Sequence, residues 1–388
     1  MSLPLAGKRI GFLTASASRL GGGVFEAVVA QAEIVAVCGG VPIVFALEDE
    51  HSTEDRARFG SVEVQTFAVR GPHQIGYAPG LAMGLIAAQL DCLHLHGIWM
   101  YPSRAGAEWA RITGRGYIIS PHGMLDPWIT ARGRWKKALA RVGYERAGWS
   151  RATFFHALTK REDSDIEHEV RRCDCITIPN PAPPVLADSF KPRAPNFAYI
   201  GRIHPKKNLL ALVEAWSELA RPQDAELIIA GWGDPADVAA LKAAVAPLGP
   251  SLRFVGPIYG AAKQDLLTQA QFMVLPSLSE GLPMAVIEGW AAGTPSIKTD
   301  ACNLPEGFTA HAAIECGASA GAIRAALAQA LALSPADWQV MSANARGLAG
   351  GPFSAETIAV KWGEVYARAI ALGSKVVRGH RATPARPR

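Results

Sequence analysis

Glu280 and Glu288, with seven residues between them, bracket the stretch richest in chemistry. Upstream lies a short apolar run, Phe272 to Ser277, that reads as a buried strand. Pro283 sits where a first-turn proline suits a helix start, and Gly293-Thr294-Pro295 ends that helix. Ser296-Ile297 then reads as the next strand. A helix N-terminus exposes free N–H groups and a partial positive charge, which suits a diphosphate. Carboxylates accept hydrogen bonds and so suit hydroxyl-rich partners such as a ribose and a hexose. Phosphate in the middle with a sugar at each end describes a nucleotide-sugar.

A second cluster is cationic. Phe197 to Arg202 reads as a strand ending in glycine and arginine, and Ile203 to Asn208 leads into a helix from Leu209 to Ala220. Cations are unhelpful at a helix start unless an anion joins them. Arg202, Lys206 and Lys207 together therefore suit an anionic ligand. Asp163-Ser164-Asp165 has the D-x-D spacing of metal-dependent transferases, but it sits in a run of alternating charges and reads as a solvated helix face.

Glu280-x7-Glu288, with Gly281, Pro283 and Ala292-Gly293-Thr294-Pro295, resembles the donor site of family 4 glycosyltransferases, retaining enzymes of the GT-B fold. Gly201-Arg202-x4-Lys207 is similar to the same family's G-R-x4-K motif. Asn208 stands where the family usually has glycine and tolerates similar backbone angles; Lys206 is an adjacent alternative to Lys207. The resemblance implies an α/β chain with two Rossmann-like domains facing each other across a cleft and a C-terminal helix returning to the first. It also implies that Gly201, Arg202 and Lys207 meet the diphosphate. Gly281, Leu282 and Pro283 lie at the donor, Glu280 orients the sugar and Glu288 holds the ribose. The implied reaction is front-face: the leaving phosphate oxygen takes the acceptor proton. No cofactor and no metal are implied. UDP- or GDP-sugars are the donors, with a glycan or lipid-linked glycan as acceptor.

The first half of the chain carries four further strand exits. Lys8 to Thr14 reads as a strand, followed by Gly21-Gly22-Gly23 and a helix; the dinucleotide fingerprint G-x-G-x-x-G is absent. The resemblance places Gly22 and Gly23 near donor phosphate. The following strand, Val41 to Leu47, ends in the acidic loop Glu48-Asp49-Glu50. Cys92 to Gly97 is another strand, with His94 and His96 on one face. Tyr117 to Ser120 is the next, and Pro121 to Trp128 is its exit loop. The latter resembles a segment of polysaccharide-type members, whose histidine reaches the transferred sugar; here that is His122. His96, Trp99 and Asp126 then line the acceptor side. Thr159-x-x-Glu162 reads as a capping box.

Length and composition set the frame. The chain has 388 residues, 49% hydrophobic and 19% charged, which suits two globular domains. A proline-rich joint from Pro179 to Pro195 marks the boundary. The expected division is 1–180, linker 181–196, second domain 197–353, returning helix 354–372 and a disordered basic tail 373–388 with Lys375, Arg378, Arg381, Arg386 and Arg388. A net charge of +5 fits an anionic small molecule or membrane surface and does not call for nucleic acid. Arg132, Arg134, Lys136, Lys137, Arg141 and Arg146, interleaved with Trp135, Leu139, Val142 and Tyr144, suit anionic lipid or a lipid diphosphate. Six cysteines without framework spacing indicate a reducing compartment; Cys173-Asp174-Cys175 lacks further zinc ligands. Neither a signal peptide nor a membrane span is evident, so the expectation is a cytoplasmic protein, peripheral at the inner face of the membrane. Two rivals remain: a nucleotide-sugar epimerase, which needs no acceptor, and a nucleotide-sugar-binding protein without activity.

Overall fold

A computed structural model describes residues 3–131, 133–171, 174–186 and 193–380. Arg132, Cys173, Pro192, Arg381, Arg386 and Arg388 lie outside the described residues, as do the side chains of Trp128, Arg134, Lys136, Lys375 and Arg378.

The chain folds into two compact units. One comprises Met1–Pro179 with Ile358–Arg388, the other Asn180–Thr357. Each is a parallel sheet flanked by helices. The first sheet contains β1 (Arg9–Thr14), β2 (Val41–Leu47), β3 (Glu63–Phe67), β4 (Cys92–His96), β5 (Gly116–Ser120), β6 (Phe154–Ala157) and β7 (Cys175–Thr177). Its order is β3-β2-β1-β4-β5-β6-β7. The second contains β8 (Asn196–Ile200), β9 (Glu226–Ala230), β10 (Leu252–Gly256), β11 (Phe272–Leu275), β12 (Ser296–Lys298) and β13 (Ala313–Glu315), in the order β10-β9-β8-β11-β12-β13. Both are Rossmann-like, the α/β class read from the sequence.

Apolar residues run through the central strands without a break because helices cover both faces. In the first unit, Phe12 and Ile118 join one core with Val28, Trp362 and Tyr366. Their neighbours Leu13, Tyr117 and Ile119 join the other with Phe45 and Trp109. In the second unit, Phe197, Tyr199 and Val274 face one core, while Ala198 and Met273 face the other. The strands missed from sequence, β3, β7 and β13, are all edge strands. Edge strands are short and half-exposed, so their apolar signal is weak.

The last helix spans Ala355–His380 and so extends past 372, the end read from sequence, into the stretch expected to be a disordered tail. Its apolar residues Ile358, Trp362, Val365 and Tyr366 belong to the core of the first unit. Among the described residues no helix is long and apolar enough to cross a membrane.

Candidate functional site

In the second sheet the chain order reverses between the neighbours β8 and β11. Loops leaving the carboxyl ends of such a pair diverge and open a crevice, where doubly wound sheets bind ligands. From β8 come Gly201 and Arg202, whose carbonyl accepts a 2.8 Å hydrogen bond from the Tyr199 hydroxyl. A tight turn follows over Pro205–Lys207, capped by His204 and closed by Asn208 at φ 59°. Asparagine tolerates this left-handed conformation, so the usual glycine is dispensable there.

That turn aims Lys207 at the loop leaving β11. Its Nζ lies 2.5 and 2.6 Å from the two carboxylate oxygens of Glu280. Glu280 also accepts a 2.6 Å hydrogen bond from the Ser277 hydroxyl. The loop itself is pinned from β12: Asn303 donates to the Glu280 carbonyl at 2.6 Å, and Thr299 to the Ser277 carbonyl at 2.6 Å. Glu280 is only 8% exposed, so the pair is shielded and holds both charges in place. Arg202 is half-exposed and turns toward the loop leaving β9, 3.8 Å from Asp234 and 5.5 Å from the Trp232 ring.

Pro283 caps the helix Met284–Ala291 from one position before its first turn. Glu288 therefore stands little more than one turn into the helix. Its carboxylate pairs at 2.5 Å with Lys263, from the helix Gly260–Gln269. Leu282 packs on the core, and Gly281 has open space around it. Lys263 escaped the sequence reading because no motif or periodicity links it to Glu288. So did Lys298 at the end of β12. It is fully buried, its Nζ has no hydrogen-bond partner among the described residues, and it sits 3.4 Å from the Phe308 ring centre. Burial pulls the pKa of its ammonium down to about 8.

The first sheet reverses between β1 and β4. Gly22 precedes the helix Gly23–Val37 with φ 52° and ψ −128°, a conformation that demands glycine; no neighbour crowds Gly22 or Gly23. The acidic loop closes on this turn: Ser16 and Ser18 donate to the Asp49 carboxylate at 2.7 and 2.9 Å. Burial alone would raise the Asp49 pKa, but hydrogen bonds from Ser16, Ser18, His51 and Ser52 outweigh it and hold the group low.

His96 and His122 come together at the exits of β4 and β5, with His96 Nδ1 2.9 Å from His122 Nε2 and the rings stacked. His96 is buried, whereas His122 keeps an exposed edge and has a left-handed backbone at φ 54°. Burial holds both imidazoles below their ordinary pKa, His122 at about 3. The His122 loop is tied down by Glu162, which accepts from the Gly123 and Leu158 amides at 2.6 and 2.8 Å. Thr159 caps the Glu162 amide as a capping box requires, but the Glu162 carboxylate turns to these two amides instead of closing the box.

Behind this pair runs a buried polar chain. His94 contacts Tyr366 at 2.8 Å and Ser120 at 2.6 Å; Ser120 contacts His156 at 2.7 Å, and His156 donates to the Ile178 carbonyl at 2.8 Å. Trp99 (φ 80°) is clamped by Glu145, which accepts its amide at 2.6 Å, and by the Tyr144 hydroxyl, 2.8 Å from its carbonyl. Burial raises the Glu145 pKa to about 7. Asp126 donates its amide to the Gly123 carbonyl at 3.0 Å and so closes the loop ahead of the helix Pro127–Ala131.

Residues 194–332 match the family described as glycosyl transferases group 1, and residues 22–181 match the glycosyl transferase 4-like domain. An uncharacterized glycosyltransferase of Methanocaldococcus jannaschii is 30% identical over 110 residues, 28% of each chain. The D-inositol 3-phosphate glycosyltransferase of Jonesia denitrificans is 32% identical over 127 residues, 31% of this chain and 30% of that one. These curated relatives are thus matched over less than a third of their own length. The fold is similar to that of Anabaena HepE, solved in complex with UDP and glucose, at TM-score 0.72 and 15% identity over 93% of this chain and 100% of that one. It is also similar to sucrose-phosphate synthase from Thermosynechococcus elongatus, at TM-score 0.70 and 20% identity over 94% and 99%.

Proposed function

Since the chain belongs to the family 4-type glycosyltransferases and has their GT-B class of fold, we propose that it moves a hexose from a UDP- or GDP-sugar to a glycan or lipid-linked glycan. The carrying observation is the contact of Lys207 with Glu280 at the β8/β11 reversal, with Arg202 on the same strand exit. The fold shared with a protein solved with UDP and glucose supports a nucleotide-sugar donor.

In this reading the diphosphate meets Lys207, Arg202, Gly201 and the start of the helix Met284–Ala291, with Gly281, Leu282 and Pro283 beneath it. Gly22 and Gly23 let backbone approach the phosphate. Glu280 takes hexose hydroxyls and Glu288 the ribose, each exchanging a lysine contact for substrate. The bond from the anomeric carbon to the phosphate oxygen breaks, and a bond to the acceptor oxygen forms on the same face. The acceptor proton passes to the leaving phosphate. Fixed cations stabilise the charge that develops there, so neither metal nor cofactor is required. His122 supports the sugar; Trp99 and Asp126 serve the acceptor side, and His96 acts from beneath. Exopolysaccharide-type assembly at an anionic membrane, with the protein peripheral at its inner face, is the proposed setting.

The test offers UDP-glucose and GDP-mannose in EDTA, with and without a glycan acceptor, and reads product mass and anomeric configuration. Acceptor-dependent product of retained configuration is expected. An epimerised donor without acceptor would establish the epimerase, and binding without turnover an inactive binder. Turnover lost in EDTA and restored by Mg²⁺ would overturn the metal claim. Arg202→Ala and Lys207→Ala should each lower kcat by about 10²–10³ with smaller changes in KM.

A further inference from the structure

We infer that His96 sets the tautomer of His122, so that His122 presents an Nδ1–H donor to its ligand. The catalytic consequence rests on the role proposed above for His122; the tautomer itself does not.

The argument is one of hydrogen-bond satisfaction. A neutral imidazole carries one N–H and one lone pair. His96 has two ring nitrogens to satisfy inside the protein. Nδ1 faces His122 Nε2 at 2.9 Å. Nε2 is buried and has no partner among the described residues. The ring is walled by His94, 4.1 Å away between centres, and by Phe12 at 5.8 Å. The neighbouring His94 offers nothing, because both its nitrogens are committed to Tyr366 and Ser120.

Two arrangements are available. With its proton on Nε2, His96 would bury an N–H that has no acceptor. With its proton on Nδ1, it buries only an unpaired lone pair. Among backbone groups, buried orphaned N–H donors are rarer than under-satisfied acceptors, and we carry the same preference over to the imidazole. His96 therefore carries Nδ1–H and donates it to His122 Nε2. That nitrogen now accepts, so the single proton of His122 sits on Nδ1. The backbone that carries His122 is held in place: its φ is 54°, and the next amide, Gly123, is bound by Glu162 at 2.6 Å.

The consequence is chemical. A His122 locked as Nδ1–H donates to a sugar oxygen and has no lone pair to take the acceptor proton. The general base must then lie elsewhere, which agrees with proton transfer to the leaving phosphate. His96 is thus a positioning residue, acting through His122.

The experiment uses the full chain labelled with ¹⁵N-histidine. Long-range ¹H–¹⁵N correlation distinguishes protonated from bare ring nitrogens, and His122→Gln identifies the His122 signals by their loss. In the wild-type protein His122 should show a protonated Nδ1 and a bare Nε2. His96→Leu should shift His122 toward Nε2–H and lower kcat by about 10–100-fold, with KM changed less. His96→Asn, whose amide N–H can replace Nδ1–H, should keep the wild-type pattern. A protonated Nε2 on wild-type His122, or no change in His96→Leu, would overturn the inference. If the tautomer moves but kcat does not, the inference on His96 stands and the proposed role of His122 falls. The wild-type spectrum decides even if His96→Leu does not fold.

Discussion

Lys298 shows what spacing alone leaves out. It ends a three-residue strand and looks like any strand lysine in the sequence. In the fold it is fully buried against Phe308, with its ammonium pulled down to about 8 by burial. The folded chain thus binds fewer protons than the unfolded one between about pH 8 and the ordinary lysine range, and stability from this group rises with pH there. Below pH 8 the cost of burying the charge is present in full. Lys298→Met should therefore raise the melting temperature at pH 7, by about 1–3 kcal/mol in stability, and the advantage should shrink as pH approaches 10. Thermal melts of both proteins across that range check it; an advantage that grows with pH would refute the assignment. The same limit explains which residues of the candidate site were legible. Glu280, Glu288, Arg202 and Lys207 are defined by short spacing beside a strand end. Lys263 and Glu145 act through partners far along the chain, and no local pattern records such pairings; Glu162 was legible as a capping residue but not as the partner of the Gly123 amide.

At the scale of elements, the basic segment after β5 is helical from Arg134 to Trp149, with a π turn, Arg141–Glu145, set between Arg134–Ala140 and Arg146–Trp149. A π turn inserts one residue per turn and often serves a site; here it ends in Glu145, which reaches Trp99. Not all the cations face outward. Lys137 bonds the Ile129 carbonyl, and Arg141 pairs with Glu169 at 2.5 Å. Apolar residues face out beside the exposed Arg146: Trp135, Leu139 and Val142 are 67, 66 and 76% exposed. Spaced four and three apart, they share one side of the segment. A row of exposed apolar residues on a cation-bearing segment suits an anionic bilayer, with insertion added to charge. Co-sedimentation with anionic vesicles should fall when Trp135 and Leu139 become Ala, and should fall less when salt is raised than a purely electrostatic surface would. Equal sedimentation with neutral vesicles, or none at all, would remove the membrane proposal. The central strands were legible because burial on both faces leaves continuous apolar runs; edge strands carry no such mark.

At the scale of the whole molecule, the chain enters the second unit once and leaves it once, so Asn180–Thr357 is contiguous, whereas the first unit needs both ends of the chain. Its core is completed by Ile358, Trp362, Val365, Tyr366 and Ala369 from the last helix. The Tyr366 hydroxyl lies 2.8 Å from His94 and 2.7 Å from Gln31, and Gly116 at the start of β5 has backbone of Ala369 where a Cβ would sit. Removing that helix exposes apolar surface worth about 1.5–3 kcal/mol for each large side chain. It also strips partners from buried polar groups, at about 1–3 kcal/mol each. A domain of this size is held by about 5–15 kcal/mol in all, so the loss rivals the whole. A fragment 180–357 should therefore melt cooperatively by itself. A fragment 1–179 should not, and should bind a hydrophobic dye, until 358–380 is joined to it through a flexible linker. Tyr366→Phe in the full chain should cost about 1–3 kcal/mol, since it removes one hydroxyl from between His94 and Gln31. Calorimetry of the fragments gives the answer: a cooperative transition from 1–179 alone would mean that the last helix decorates the first unit and does not complete it.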